Sequence, residues 1–207
     1  MFIGNDIAAR NHLWVAWVLE LVGDVLWLRE LRAERDMPFS KQRDVVRDLV
    51  GRYRPVRVSV DQTGMGEAVV EQLQDDHGPF RIEGVLMTGP RRLDVATALR
   101  EAMEDRRLRI PENDDLRRDL HSVRAEAGPT GAPRLIADDS SDGHADRFWA
   151  CALACAAAAG AAGPFEAWTD GHRFAALDFP GGADGEYTID REIGVVRSPL
   201  SVLDSWR

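Results

Sequence analysis

Lysine is nearly missing from this sequence: Lys41 is the only one among 26 basic residues. No Gly-x-x-x-x-Gly-Lys-[Ser/Thr] stretch is present, so the phosphate-cradling loop of an ATPase is not expected in this chain. Cysteine is scarce too. Cys151 and Cys155 stand four apart in an alanine-rich helix, hence on one helical face, with no His or Cys partner at ligand spacing. They read as small core residues of a reducing compartment. No apolar run reaches membrane-span length. The first residues, Met1-Phe2-Ile3-Gly4-Asn5-Asp6, lack a basic region followed by an apolar core, so they do not read as a signal peptide. Positive charge is also short, and the net charge of −9 argues against coating nucleic acid through a general basic field. It fits a metal-dependent nuclease, whose carboxylates carry bound cations in use. The local basic patches that do exist are arginine, which grips phosphate bidentately.

What is present suffices for one domain with a full core and a small extra piece in 207 residues. The organising stretch is Val56-Arg-Val-Ser-Val-Asp61-Gln-Thr-Gly-Met-Gly66. It reads as a buried strand ending in an aspartate, a glycine turn, and a helix from about Glu67. Strands are expected over residues 1–8, 13–21 and 25–32, with Gly23-Asp24 as the turn of a meander. A helix is expected from Pro38 to Tyr53, with Ser40 as a possible cap and Pro55 as its stop. Beyond the central strand come a helix over 67–76, a strand over 81–87, a helix over 91–106, a short extended piece at 108–111 and a helix over 114–123. Residues 125–133 read as a loop or hairpin tip, 134–137 as a last short strand, and 144–159 as a long helix capped by Asp142. This order argues for an α/β protein, with a mixed central sheet, antiparallel edge strands and flanking helices. The expected domain covers residues 1–160. Residues 161–207, rich in Gly and Pro, read as a loosely structured extension or small hairpin.

Three aspartates occupy marked places. Asp6 interrupts an apolar strand, Asp61 ends the central strand, and Asp146 opens the last helix. The carboxyl end of a central strand is where open α/β sheets put their ligands. A buried aspartate is costly unless paired or bound to a cation. Mg2+ prefers oxygen ligands, and a two-metal site needs several carboxylates converging on one point, its ions roughly 3.5–4 Å apart. Each aspartate alone could be a turn or helix cap. The three together favour a metal site.

These pieces, in order, are Gly4-Asn5-Asp6, Val60-Asp61-Gln-Thr-Gly-Met-Gly-Glu67, Gly84-Val-Leu-Met-Thr-Gly-Pro90, Leu108-Arg-Ile-Pro111 and Asp142-Gly-His-Ala-Asp146-Arg-Phe-Trp-Ala150. Together they resemble the nuclease domain of phage terminase large subunits, with a look of the Mu-type prophage terminases, over roughly residues 1–160. The resemblance implies a ribonuclease H-like fold, two divalent metal ions (Mg2+ or Mn2+) and endonucleolytic cutting of concatemeric DNA in the host cytoplasm. It implies Asp6 as the bridging ligand, Asp61 as a ligand of one metal and Asp146 as a ligand from the last helix. Implied partners are double-stranded DNA, a packaging ATPase domain or chain, the portal and a small terminase subunit; no membrane is implied. Full terminases place an ATPase motor before the nuclease. This chain starts at the first nuclease strand, so a domain-length fragment, a split gene product or a prophage remnant is expected. Some relatives carry a second acid shortly after the first, where this chain has Asn11-His12. Two alternatives stay open: a resolvase- or transposase-like nuclease on the same fold, and a catalytically inert docking module.

Other residues have a functional and a bland reading. Gly64 and Gly66 at a helix start could offer backbone N–H groups to phosphate, but a tight turn suits them better. His144, two residues from Asp146, could contact the scissile phosphate or shuttle a proton, or simply order its loop. Arg91 and Arg92 could touch the DNA backbone, although solvated helix ends are the commoner outcome.

Overall fold

Strand β1 (Phe2–Asp6) runs through the middle of a six-stranded sheet of order β5-β4-β1-β2-β3-β6. In the computed structural model, residues 1–8, 12–127, 133–137 and 145–161 are described, with residues 188–190 and 195–197 as strands alone. Two units separate, Met1–Phe165 and Glu166–Arg207. In the second, β9 (Thr188–Asp190) and β10 (Val195–Arg197) pair antiparallel.

β2 (Leu13–Val22) and β3 (Val25–Arg35) form the meander expected from Gly23-Asp24. Gly23 supplies the left-handed turn conformation, with φ +64°. β4 (Arg57–Asp61) lies parallel to β1 on one side and to β5 (Ile82–Val85) on the other. The two-residue β6 (Leu108–Arg109) lies parallel to β3. β2 is buried along both faces from Leu13 to Leu19, the pattern of an interior strand, and Trp14 and Trp17 belong to its two opposite faces.

Each face of the sheet carries its own core. Ile3, Trp14, Ala16, Val58 and Val60 pack with α1 (Phe39–Tyr53) and α2 (Gly66–His77). Phe2, Val15, Trp17 and Leu19 pack with α3 (Gly89–Glu104), α4 (Asp114–Leu120) and α5 (Asp146–Ala161). Each large apolar side chain so buried contributes about 1.5–3 kcal/mol of transfer free energy. Glu30 on β3 fastens α1 through Arg52 and Tyr53, and the Arg52 guanidinium is the chief reason its carboxyl is held down at about 2.

The elements sit close to their expected places, with three differences. Ser40 lies inside α1, whose N-cap is Pro38 with no side-chain cap bond. The helix expected to reach residue 123 stops at Leu120, because Val123–Ala127 is β7, paired antiparallel with β8 (Pro133–Ala137). β6 is also shorter than the extended piece expected at 108–111. Asp142, expected to cap the last helix, lies outside the described residues.

Candidate metal centre

Gly4 decides where α5 lies. A Cβ at this position would stand 2.1 Å from the carbonyl oxygen of Ala150 and 2.3 Å from the backbone nitrogen of Ala154. Only glycine lets a helix backbone approach a strand so closely, and the alanines of α5 complete the fit. The helix thus lies on β1, with its first residue, Asp146, toward the strand end that carries Asp6.

The pairing register brings in the second strand. Asn5 is opposite Val60 and Gly4 opposite Ser59, so Asp6 and Asp61 end neighbouring parallel strands side by side. Strand alternation then turns both carboxylates to the face that α5 covers. Asp6 and Asp146 are buried and Asp61 is partly exposed.

The segment after β1 is fastened by Gln42 of α1, which is fully buried. Its amide donates to the Ala8 carbonyl at 2.8 Å and the Met37 carbonyl at 2.7 Å, and accepts from the Ala8 N–H at 3.3 Å. After β4, the Asp61 carboxylate accepts the Thr63 N–H at 2.7 Å, and Thr63 in turn accepts the Met87 N–H at 3.0 Å. Gly64 takes φ +65°, and a Cβ on Gly66 would stand 2.4 Å from the Asp61 carbonyl oxygen. Both glycines therefore suit the tight turn.

Asp146 is preceded by Ala145 at φ +62°, a left-handed conformation that costs a residue with a Cβ about 1–2 kcal/mol. Its carbonyl accepts the Trp149 N–H at 3.0 Å and so opens the helix. The strain sits directly before the site residue, a common place for it.

Electrostatically the three aspartates act on one another. The Asp6 carboxyl is held well above the usual carboxylate range, first by burial and then by repulsion from Asp146 and from Asp61, with Arg92 pulling the other way. Asp119 of α4 adds a weaker repulsion and is itself pushed up, chiefly by burial. Among the described residues, no three His, Cys, Asp or Glu side chains stand at ligand spacing as they are placed. The fit to a metal therefore rests on donor chemistry. The donors are carboxylate oxygens, which hard divalent cations take, and a cation would relieve the burial and repulsion that weigh on Asp6.

The remaining candidates separate. Arg91 pairs with Glu83 at 3.0 Å. The Arg92 guanidinium lies over the Trp149 ring, 4.3 Å from its centroid. His144 lies outside the described residues. Asp119 had no sequence signal of its own, being one of many acids on polar helices. Arg147, which pairs with it at 3.3 Å, and Trp149 belong to the stretch that carries the family resemblance but had no role assigned there. Arg147 also lines a groove of about 790 Å³ with Trp27, Arg29, Arg109 and Asn113.

A mixed sheet with β1 and β4 side by side, an antiparallel meander, and a helix crossing the face where the acids meet defines the ribonuclease H-like class of α/β domain. Residues 3–158 match the profile of the terminase RNase H-like domain, and the chain belongs to that family. Among solved structures, the large terminase nuclease of thermophilic phage G20c is similar at 20% identity and TM-score 0.63, over 75% of this chain and 80% of that one. The same nuclease with bound magnesium gives 21% identity and TM-score 0.63, over 75% and 79%. The large terminase nuclease domain of Thermus phage P74-26 gives 19% identity and TM-score 0.60, over 74% and 76%. At these identities the likeness concerns the fold. No curated protein sequence matches this chain.

Proposed function

We propose that this domain is the nuclease of a phage or prophage DNA-packaging terminase, a divalent-metal-dependent endonuclease that cuts concatemeric double-stranded DNA. The reading is supported by the β1–β4 register, which sets Asp6 and Asp61 at the ends of neighbouring strands on the face that α5 covers, with Asp146 at the start of that helix; repulsion from Asp146 and Asp61 adds to burial in raising the Asp6 carboxyl. In this reading Asp6, Asp61 and, from α5, Asp146 would hold two Mg2+ or Mn2+ ions, each in the ligand role that the family resemblance implies for it. Bound ions would supply hydroxide at neutral pH and stabilise the leaving oxygen of a phosphodiester.

The protein's own part is to hold the carboxylates and the phosphate. Burial on the α5 side keeps water from the Asp6 carboxylate, so its interactions there are stronger than in bulk solvent. Gln42 fixes the chain two residues beyond Asp6, and Thr63 fixes Asp61. Arg92, which pulls on the Asp6 carboxyl, offers a guanidinium group to a backbone that the −9 chain would otherwise repel. His144 remains a proposed accessory. A packaging ATPase domain or chain, the portal and the small terminase subunit are the proposed partners, in the host cytoplasm. Among the described residues no helix is long and apolar enough to cross a membrane.

The test is cleavage of supercoiled plasmid in Mg2+ or Mn2+, with Asp6→Asn and Asp61→Asn beside wild type and chelator as blank. Metal-dependent cutting by wild type and its loss in both variants are expected. Undiminished cutting by both variants would reject the metal centre.

A further inference from the structure

Trp149 follows Asp146 by three residues on α5, so the two share one helical face. The guanidinium of Arg92, from the first turn of α3, lies over the Trp149 ring at 4.3 Å from its centroid. Arg92 is thereby held within one helical turn of the last aspartate. Its neighbours are engaged elsewhere: Arg91 pairs with Glu83 at 3.0 Å and Arg147 with Asp119 at 3.3 Å. Among the described residues, Arg92 has no side-chain hydrogen bond and no carboxylate at ion-pair distance. A half-buried guanidinium with its N–H donors open, stacked on an indole and set beside carboxylates, is built for an anion with planar or forked acceptors.

From this geometry we infer that Arg92, stacked on Trp149, grips the non-bridging oxygens of the phosphodiester being cut. The inference rests on the nuclease reading and gives it a residue that touches substrate beside the carboxylates. Arg92 is the phosphate-binding group, and Trp149 is a positioning residue that acts only through it. Arg91 instead pairs with Glu83 at 3.0 Å. The pull of Arg92 on the Asp6 carboxyl is consistent with this placement. Stacking leaves the edge of the guanidinium free, which a lysine ammonium could not reproduce, so charge alone does not satisfy the role.

The experiment uses the full chain and supercoiled plasmid in Mn2+, comparing wild type, Arg92→Ala, Arg92→Lys and Asp6→Asn. Mn2+ binding is followed by calorimetry and folding by thermal melting. Arg92→Ala is expected to lose about 100-fold or more of the cleavage rate at saturating DNA, the range for losing one charge-stabilising donor. It should bind Mn2+ at least as tightly as wild type, because a positive charge has left the acid site. Arg92→Lys should recover only a small part of the rate. Millimolar guanidinium in the assay should restore Arg92→Ala but not Asp6→Asn, a rescue that a merely structural role would not show. Three results would overturn the inference while leaving the nuclease reading intact: an Arg92→Ala rate within threefold of wild type, full activity in Arg92→Lys, or loss of Mn2+ binding in both Arg92 variants. Absence of metal-dependent cutting in wild type would instead remove the nuclease reading, and this inference with it.

Discussion

Replacing Gly4 with alanine tests how the site is assembled. The added methyl would meet the Ala150 carbonyl oxygen at 2.1 Å, the Ala154 nitrogen at 2.3 Å and the Ala154 Cα at 3.0 Å. All three are helix backbone atoms, which cannot rotate away as a side chain could. Comfortable contact lies near 3.5 Å, so α5 must retreat from β1 by about 1 Å or more at this point. Overpacking of this kind costs about 1–3 kcal/mol. Alanine returns about 0.5–1 kcal/mol, because glycine is the worse residue in a regular element. The net loss is at most about 2.5 kcal/mol, or a fall of at most about 10 °C in Tm for a domain of this size. The larger effect concerns Asp146, which lies one helical turn before Ala150 on the displaced helix. A misplacement of about 1 Å in a catalytic group can cost about 100-fold in rate. Gly4→Ala should therefore lose plasmid cleavage far out of proportion to its melting shift, measured at a temperature where it is still folded. A variant that melts with wild type and cuts at the wild-type rate would show that this contact does not place the helix.

Asp6→Asn should stabilise the metal-free protein at neutral pH. Burial and repulsion hold the Asp6 carboxyl above its ordinary range, so above about pH 4 the folded chain keeps a proton that the unfolded chain releases. Stability therefore falls as pH rises through that window. The Asn variant should escape the fall, its Tm advantage shrinking toward about pH 4; a constant advantage across the range would refute the cause. Asn5→Val should also raise Tm in chemical or thermal melting, by removing a buried amide whose two polar atoms have no partner among the described residues. A gain worth about 1–3 kcal/mol is expected, and a loss would show that the amide is satisfied in solution.

Much of the fold was legible because its elements carry local signals. The central strand and its turn could be read from Val58, Val60, Asp61 and the two glycines, and the meander from Gly23-Asp24. The misplaced boundary at residue 120 has a different cause. Residues 121–127, His-Ser-Val-Arg-Ala-Glu-Ala, have no clear period, and β7 exists because β8 pairs with it. Non-local pairing leaves little trace in a short polar stretch. The site divides in the same way. Asp6 and Asp61 were conspicuous as acids within or at the end of apolar strands. Arg92 was named only as one of two adjacent arginines that could touch DNA and Trp149 had no role assigned; their contact depends on how α3 and α5 pack across one face of the sheet. No spacing within either helix specifies that.

β1 shows what such a site demands of a fold. Gly4, Asn5 and Asp6 are three successive residues that strands disfavour, and here they are buried in the interior of a six-stranded sheet. Local propensity and tertiary placement disagree at all three, the pattern expected where function overrides stability. For Gly4 the reason is the approach of α5. For Asp6 it is the meeting with Asp61 and Asp146 on that same face. Asn5 points the other way, between Ala16 and Val60. What holds the strand despite these costs is its pairing on both sides, with β2 and β4, and the two cores that clamp its faces. Asp6 can therefore be held under the repulsion of Asp61, at the end of β4, and of Asp146, at the start of α5, because it hangs from the best-supported strand in the sheet rather than from a loop. A loop could relax their repulsion simply by moving apart.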